Sequence, residues 1–229
     1  MNKQLVKKVR QIDRLLEENY GQRIQTQSKD PLTELIVTVL SQNTNDRNRD
    51  RAFESLKRSF PTWQRMAEAS PAKLASAIRI GGLARIKANR ILNMLRDIYK
   101  AHGSYDLDFL KSWSDAKIRD YLLAIEGVGP KTAACVLAFA LRRDVMPVDT
   151  HVHRVSRRLG ILPEDHSADK AHDYFLGFKG AVNLYQLHLN LIEHGRKVCH
   201  ARNPECGACQ LRRHCRYYRQ LKNSGAQAA

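Results

Sequence analysis

Leu122–Leu137 reads LLAIEGVGPKTAACVL. Apolar spacing on either side of Glu126-Gly127-Val128-Gly129 predicts two helices joined by that four-residue turn. Glycines two apart let a tight turn use backbone with φ > 0, which other residues resist. Pro130 suits the first position of the second helix, where a missing N–H removes no bond. The turn leaves backbone N–H groups unpaired at that helix start, a ready site for an anion. Lys131 falls in the same first turn, at the positive end of the helix dipole, which favours the uncharged amine. A neutral amine is a nucleophile that can form a Schiff base. A lysine in such a place can equally do no more than bind phosphate.

Outward from this hairpin the apolar residues keep helical spacing, and alternation of β-branched residues is scarce. Upstream, Asp30-Pro31 predicts an N-cap and first helical residue before the stripe Leu32, Leu35, Ile36, Val39 and Leu40. The polar run Ser41–Asp46 interrupts it, and Ala52, Phe53, Leu56 and Phe60 mark the next helix. Ser70-Pro71 starts another, ended by Gly81-Gly82, and Leu83–Ala101 is long and amphipathic with Gly103 as its stop. Ser114 caps the helix that leads into the glycine turn. Downstream, helices are predicted near Thr150–Leu159, Ala168–Phe175 and Leu184–His194. The tail after about Tyr218 is polar and rich in small residues, so fraying is expected. The chain therefore reads as all-α, with a candidate domain boundary in the irregular link at Arg142–Val148.

With 39 Lys and Arg against 23 Asp and Glu, the 229 residues carry a formal charge of +16. That excess points to a polyanion such as DNA, RNA or an anionic membrane surface. No run of about 18 apolar residues occurs, so no membrane-spanning segment is expected. The N-terminus lacks an apolar signal core and instead carries Leu5, Val9, Ile12 and Leu16 on one helical face. A cytoplasmic, nucleoid-associated location and a monomeric state are expected.

Cys199, Cys206, Cys209 and Cys215 follow the spacing C-x6-C-x2-C-x5-C. Four thiolates so close in sequence can surround one soft metal centre. Zinc sites commonly use two short pairs, and only one short pair exists here. The longer gaps suit a [4Fe–4S] cube better, without excluding zinc. Cys135 lies in the apolar run TAACVLAFA and reads as a small buried hydrophobe. Arg196, Lys197, His200 and Arg202 flank the first long gap and are candidates for phosphate contact or simply a solvated basic surface. Eighteen residues past Lys131, Val148-Asp149-Thr150-His151 sets a carboxylate where a helix should begin, as an N-cap or facing the same cleft as the lysine.

Taken together, GVGPKTA, the downstream VDTHVHR and HGRKVC with its C-x2-C-x5-C continuation resemble endonuclease III, of the helix-hairpin-helix base-excision DNA glycosylases. The likeness runs from about Asp30 to Cys215. It implies a six-helix barrel over residues 24–143 that carries the hairpin at about 118–137. It also implies a second helical domain, made from 1–23 and 144–229, that holds a [4Fe–4S] cluster on the four cysteines. Lys131 matches the nucleophilic lysine of the bifunctional members, and Asp149 their essential aspartate. Relatives without lyase activity place serine or tyrosine where this chain has Lys131. Gly127 and Gly129 match the phosphate-gripping turn, and Leu83 matches an apolar wedge that enters the opposite strand. The segment LSQNTND resembles the stretch whose glutamine fills the gap left by a flipped nucleotide; Asn43 holds that place by count, with Gln42 adjacent. The family often has proline where this chain has Glu126.

The resemblance implies a base-excision enzyme that removes oxidised pyrimidines from duplex DNA and cuts 3′ to the abasic site through a lysine Schiff base. Damaged or abasic double-stranded DNA is the expected partner, and no membrane is. Two other classes fit parts of the sequence. A non-catalytic iron–sulfur DNA-binding protein would use the hairpin for phosphate contacts alone. An electron-transfer protein would leave the glycine turn and the Lys131/Asp149 pair idle.

Overall fold

A computed structural model describes residues 2–24 and 30–224. The described residues form twelve α-helices with short 3-10 and π turns and no β-strand, so the fold is all-α. The chain separates into two compact units, Gln27–Arg143 and, from both ends, Met1–Thr26 with Asp144–Ala229.

The first helix, α1 (Lys3–Tyr20), is capped by the Asn2 side chain, which accepts from the Gln4 amide. Its Val9, Ile12 and Leu16 are buried, as their spacing predicts.

The central unit is built around α2 (Pro31–Ser41). The Asp30 side chain accepts from the Thr33 amide at 2.9 Å, and Pro31 takes the first turn. Leu32, Leu35, Ile36, Val39 and Leu40 are fully buried, and Glu34 and Thr38 are enclosed with them. A helix apolar on all sides has to be wrapped by neighbours. Here they are α3 (Asp46–Ser59), with α4 (Trp63–Ala67) and α5 (Pro71–Ala77) beyond it, then the long α6 (Ala84–His102). The α7 (Asp115–Leu123) and α8 (Pro130–Cys135) pair forms the hairpin, and α8 lies on α2. The short α4 has no clear periodicity in the sequence and was not anticipated. The second hairpin helix also departs from expectation: it does not run as an α-helix to Leu137 but widens at Val136–Ala140 into a π turn, closed by the Leu141 amide on the Val136 carbonyl at 3.0 Å. This segment is apolar and almost wholly buried, so packing rather than intrinsic propensity sets its pitch.

In the unit formed by the chain ends, α9 (Thr150–Leu159) packs on α10 (Ala168–Leu176), α11 (Leu184–Lys197) and α12 (Arg216–Asn223), and α1 lies along α11. Val9, Ile12 and Leu16 share one core with Val152, Val155, Phe175, Leu187 and Leu191. Fraying from Tyr218 is not observed, because α12 persists to Asn223. Cys215 Sγ caps it by accepting from the Tyr218 amide at 3.4 Å, and Arg216 pairs with Glu164 at 2.9 Å. Residues 225–229 of the expected frayed tail lie outside the described residues. Among the described residues no helix is long and apolar enough to cross a membrane.

Candidate active site and cysteine pocket

The hairpin turn uses one of its two glycines for φ > 0. Gly127 has φ +81°, and a Cβ there would also meet the Arg90 side chain at 3.4 Å. Gly129 instead takes extended backbone (φ −97°, ψ 177°) as N-cap of α8, and a Cβ there would meet nothing within 4 Å. The expectation that both glycines supply left-handed backbone is corrected: a single αL residue already reverses the chain, because the Val128 amide bonds the Ile125 carbonyl at 3.1 Å and closes the turn. First-turn amides of α8 have no partner within the helix. Lys131 is half-buried there, while Thr132 through Cys135 behind it are buried. Glu126 is exposed, and its Oε2 accepts from Asn93 Nδ2 on α6 at 3.5 Å.

Gln42 and Asn43 follow directly on α2, and Leu83 directly precedes α6. Asn43 and Leu83 both hold left-handed backbone, at φ +51° and +50°. Such φ values are uncommon for non-glycine residues and for leucine carry strain. Asn43 is exposed, and Leu83 is 49% exposed despite its apolar side chain. A Cβ on Gly82 would lie 3.9 Å from the Asn43 carbonyl, so the two loops abut. Gln42 Oε1 accepts from Arg90 Nη1 at 2.7 Å, which turns this side chain toward α6. Beneath the loops, Lys87 is 1% exposed, and its Nζ donates to the Leu40 and Gly81 carbonyls, each at 2.8 Å. Burial pulls this ammonium below the ordinary lysine range.

Lys87 and Arg90 were missed in the sequence, although one signal was present. Lys87, Ile91, Met94, Leu95 and Ile98 share one face of α6, which puts a lysine on an apolar stripe. The carbonyl partner on α2 is 47 residues away, beyond any local pattern.

In the other unit, Asp149 is half-buried at the N-cap of α9, and its Oδ1 accepts from the Val152 amide at 2.7 Å. Lys131 thus belongs to one unit and Asp149 to the other. The HGRK glycine has a geometric cause: a Cβ on Gly195 would meet His151 Nδ1 at 2.9 Å and His151 Cβ at 3.0 Å, where α11 crosses α9. Arg154 ties the same crossing, donating to the Gly195 carbonyl at 2.9 Å and the Cys199 carbonyl at 3.0 Å.

Cys199, Cys206, Cys209 and Cys215 line one cavity and form no disulfide. Arg158 reaches the Cys199 sulfur at 3.3 Å and the His200 carbonyl at 2.6 Å, and stacks on Tyr217. His194 Nε2 lies 3.6 Å from the Cys209 sulfur. Burial pushes the Cys209 thiol up to about 11, and the charges of the other three cysteines add to the rise. Cys215 and Cys206 shift the same way, again chiefly by burial. Four sulfurs lining one cavity form a donor set suited to a [4Fe–4S] group. Among the described residues no three cysteine, histidine or carboxylate side chains are spaced to hold a single metal ion. Arg202 is exposed in the bends between Cys199 and Cys206. Cys135 is buried in α8.

Residues 36–177 match the HhH-GPD superfamily of base excision DNA repair proteins. Endonuclease III of Sulfolobus acidocaldarius is 38% identical over 186 residues, covering 80% of this chain and 81% of that protein. Endonuclease III of Thermotoga maritima is 34% identical over 206 residues, covering 83% and 84%. Two solved structures, a non-covalent endonuclease III–DNA complex and a trapped endonuclease III–DNA covalent intermediate, each superpose with a TM-score of 0.80 at 25% identity, over 95% of this chain and 98% of theirs. On the sequence match, the two-ended all-α architecture and the glycine-turn hairpin with its first-turn lysine, the chain belongs to the HhH-GPD superfamily, as an endonuclease III-like DNA glycosylase of base excision repair.

Proposed function

We propose that this enzyme is a bifunctional glycosylase and abasic-site lyase acting on oxidised pyrimidines in duplex DNA. The central unit serves as the six-helix barrel and the two-ended unit as the cluster domain. The observation that carries the reading is Lys131, a half-buried amine in the first turn of the hairpin's second helix, in a chain whose endonuclease III relatives match across most of their length. A solved relative trapped covalently on DNA supports the same chemistry.

A sugar carbon inside a stacked duplex is out of reach of a side chain, so the damaged nucleotide has to be turned out of the helix. The α8 N-terminal amides, with Gly127 and Gly129, hold a nearby backbone phosphate. Asn43 or Gln42 and Leu83 occupy the space that the nucleotide vacates. Arg202 adds positive charge toward the phosphate backbone. The unprotonated Lys131 amine attacks C1′, and the bond from C1′ to the base breaks with the electron pair leaving on the base. Asp149 stabilises the positive charge that develops on the sugar. The C1′–O4′ bond then opens to an iminium, which acidifies the C2′ proton. Loss of that proton expels the 3′ phosphate, and water releases Lys131 from the imine.

Cys199, Cys206, Cys209 and Cys215 would hold a [4Fe–4S] cluster, which would supply a covalent brace to the C-terminal loop. Iron and sulfide in equal amounts, without zinc, are expected in the purified protein.

Borohydride is expected to trap a protein–DNA adduct on duplexes carrying thymine glycol or an abasic site. Lys131→Ala is expected to abolish trapping while lesion binding persists. Wild-type protein that turns over neither substrate and yields no adduct overturns the lyase reading.

A further inference from the structure

The described loops that follow α2 and precede α6 share a buried charge that the mechanism above does not use. A buried ammonium is costly unless its donors are matched. An apolar residue at position 87 would fill the same stripe without that cost. The Lys87 acceptors lie where each chain segment turns into its loop. At the end of α2 the Thr38 carbonyl accepts from Ser41 Oγ at 2.7 Å, the Val39 carbonyl from the Gln42 amide at 3.3 Å, and the Leu40 carbonyl from Lys87 at 2.8 Å. With these carbonyls satisfied, the chain can leave the helix at once into Gln42-Asn43. The second acceptor, Gly81, stands two residues before Leu83. One ammonium therefore grips both loops from beneath. Left-handed leucine persists only where the surroundings over-determine it, and this grip is such a constraint. Arg90, three residues further along α6, takes Gln42 Oε1 and lies against Gly127.

We propose that Lys87 is a positioning residue, holding the Gln42–Asn45 and Gly82–Leu83 loops as one unit so that Asn43 and Leu83, not Gln42, enter the duplex. This rests on the glycosylase reading above and adds to it what sets the loops in register. The group acts through two backbone carbonyls and touches no DNA itself.

The test uses Lys87→Met, which keeps length and volume and removes the ammonium. The readout is the rate of borohydride trapping on an abasic duplex divided by the rate on the same abasic strand without its complement. Loop insertion matters only where an opposite strand exists, so impaired positioning lowers this ratio. Damaged folding lowers both rates alike. The ratio is expected to fall at least tenfold, and a ratio within twofold of wild type overturns the proposal. A second measurement does not depend on the folding of that variant. Asn43→Ala and Leu83→Ala are each expected to lower the ratio, and the double variant to fall no more than about threefold below the worse single one. Losses that multiply independently overturn the idea of one unit. Wild-type protein that traps neither substrate refutes the lyase reading itself, a result distinct from either of these.

Discussion

Lys87 and Asp13 both bring charge onto an apolar helix face, with different outcomes. Lys87 finds two carbonyls. Asp13 does not find a match for its Oδ1, which is buried with no hydrogen-bond partner, and burial, with Glu17 nearby, pushes its carboxyl up from 3.8 to about 6. A raised acid favours the protonated form in the fold. The ionised form therefore destabilises the protein above about pH 6, and the penalty is relieved as pH falls toward the unfolded value. Asp13→Asn is expected to raise the thermal midpoint at about pH 7.5, with the gain shrinking toward about pH 4. Unfolding scans across that range check it. The places of Lys131 and Asp149 at helix starts were legible in the sequence, because glycine, proline or a capping pattern announces each boundary. Asp13 and Lys87 could not be assigned partners, because charge state in the interior depends on atoms that sequence neighbours do not supply.

At the scale of elements, caps and turns were legible. Asp30, Ser70, Ser114 and Asp149 each accept from an amide three residues on, as their types predict. Gly103 ends α6 with φ +68°. The α9–α11 crossing was not legible, since only the packed helices show why position 195 lacks a side chain. Gly195→Ala is expected to destabilise the two-ended unit by about 1–3 kcal/mol, because His151 Cβ and Nδ1 leave no room and belong to a helix that would have to shift. Denaturant unfolding measures it, and a neutral result would mean that α11 tolerates displacement. The π turn at Val136–Ala140 and the persistence of α12 were likewise set by tertiary contacts rather than by propensity.

At the scale of the molecule, α1 belongs to the core of a unit otherwise made from the far end of the chain. Burying Val9, Ile12 and Leu16 contributes about 1.5–3 kcal/mol each, which together approaches the whole stability of a typical domain. Deleting residues 2–20 is therefore expected to unfold the two-ended unit. Limited proteolysis checks this, and a truncated protein that resists protease would refute it. By itself the sequence determined the helices, their caps, the hairpin turn, the basic charge and the four-cysteine spacing, because each is written in residues a few positions apart. Tertiary structure alone decided that Lys87 serves the Leu40 and Gly81 carbonyls, that Arg90 restrains Gln42, and which helices enclose the cysteine pocket. Those contacts join residues tens of positions apart, and a chain's local preferences do not specify which distant atoms will meet when its apolar faces are buried together.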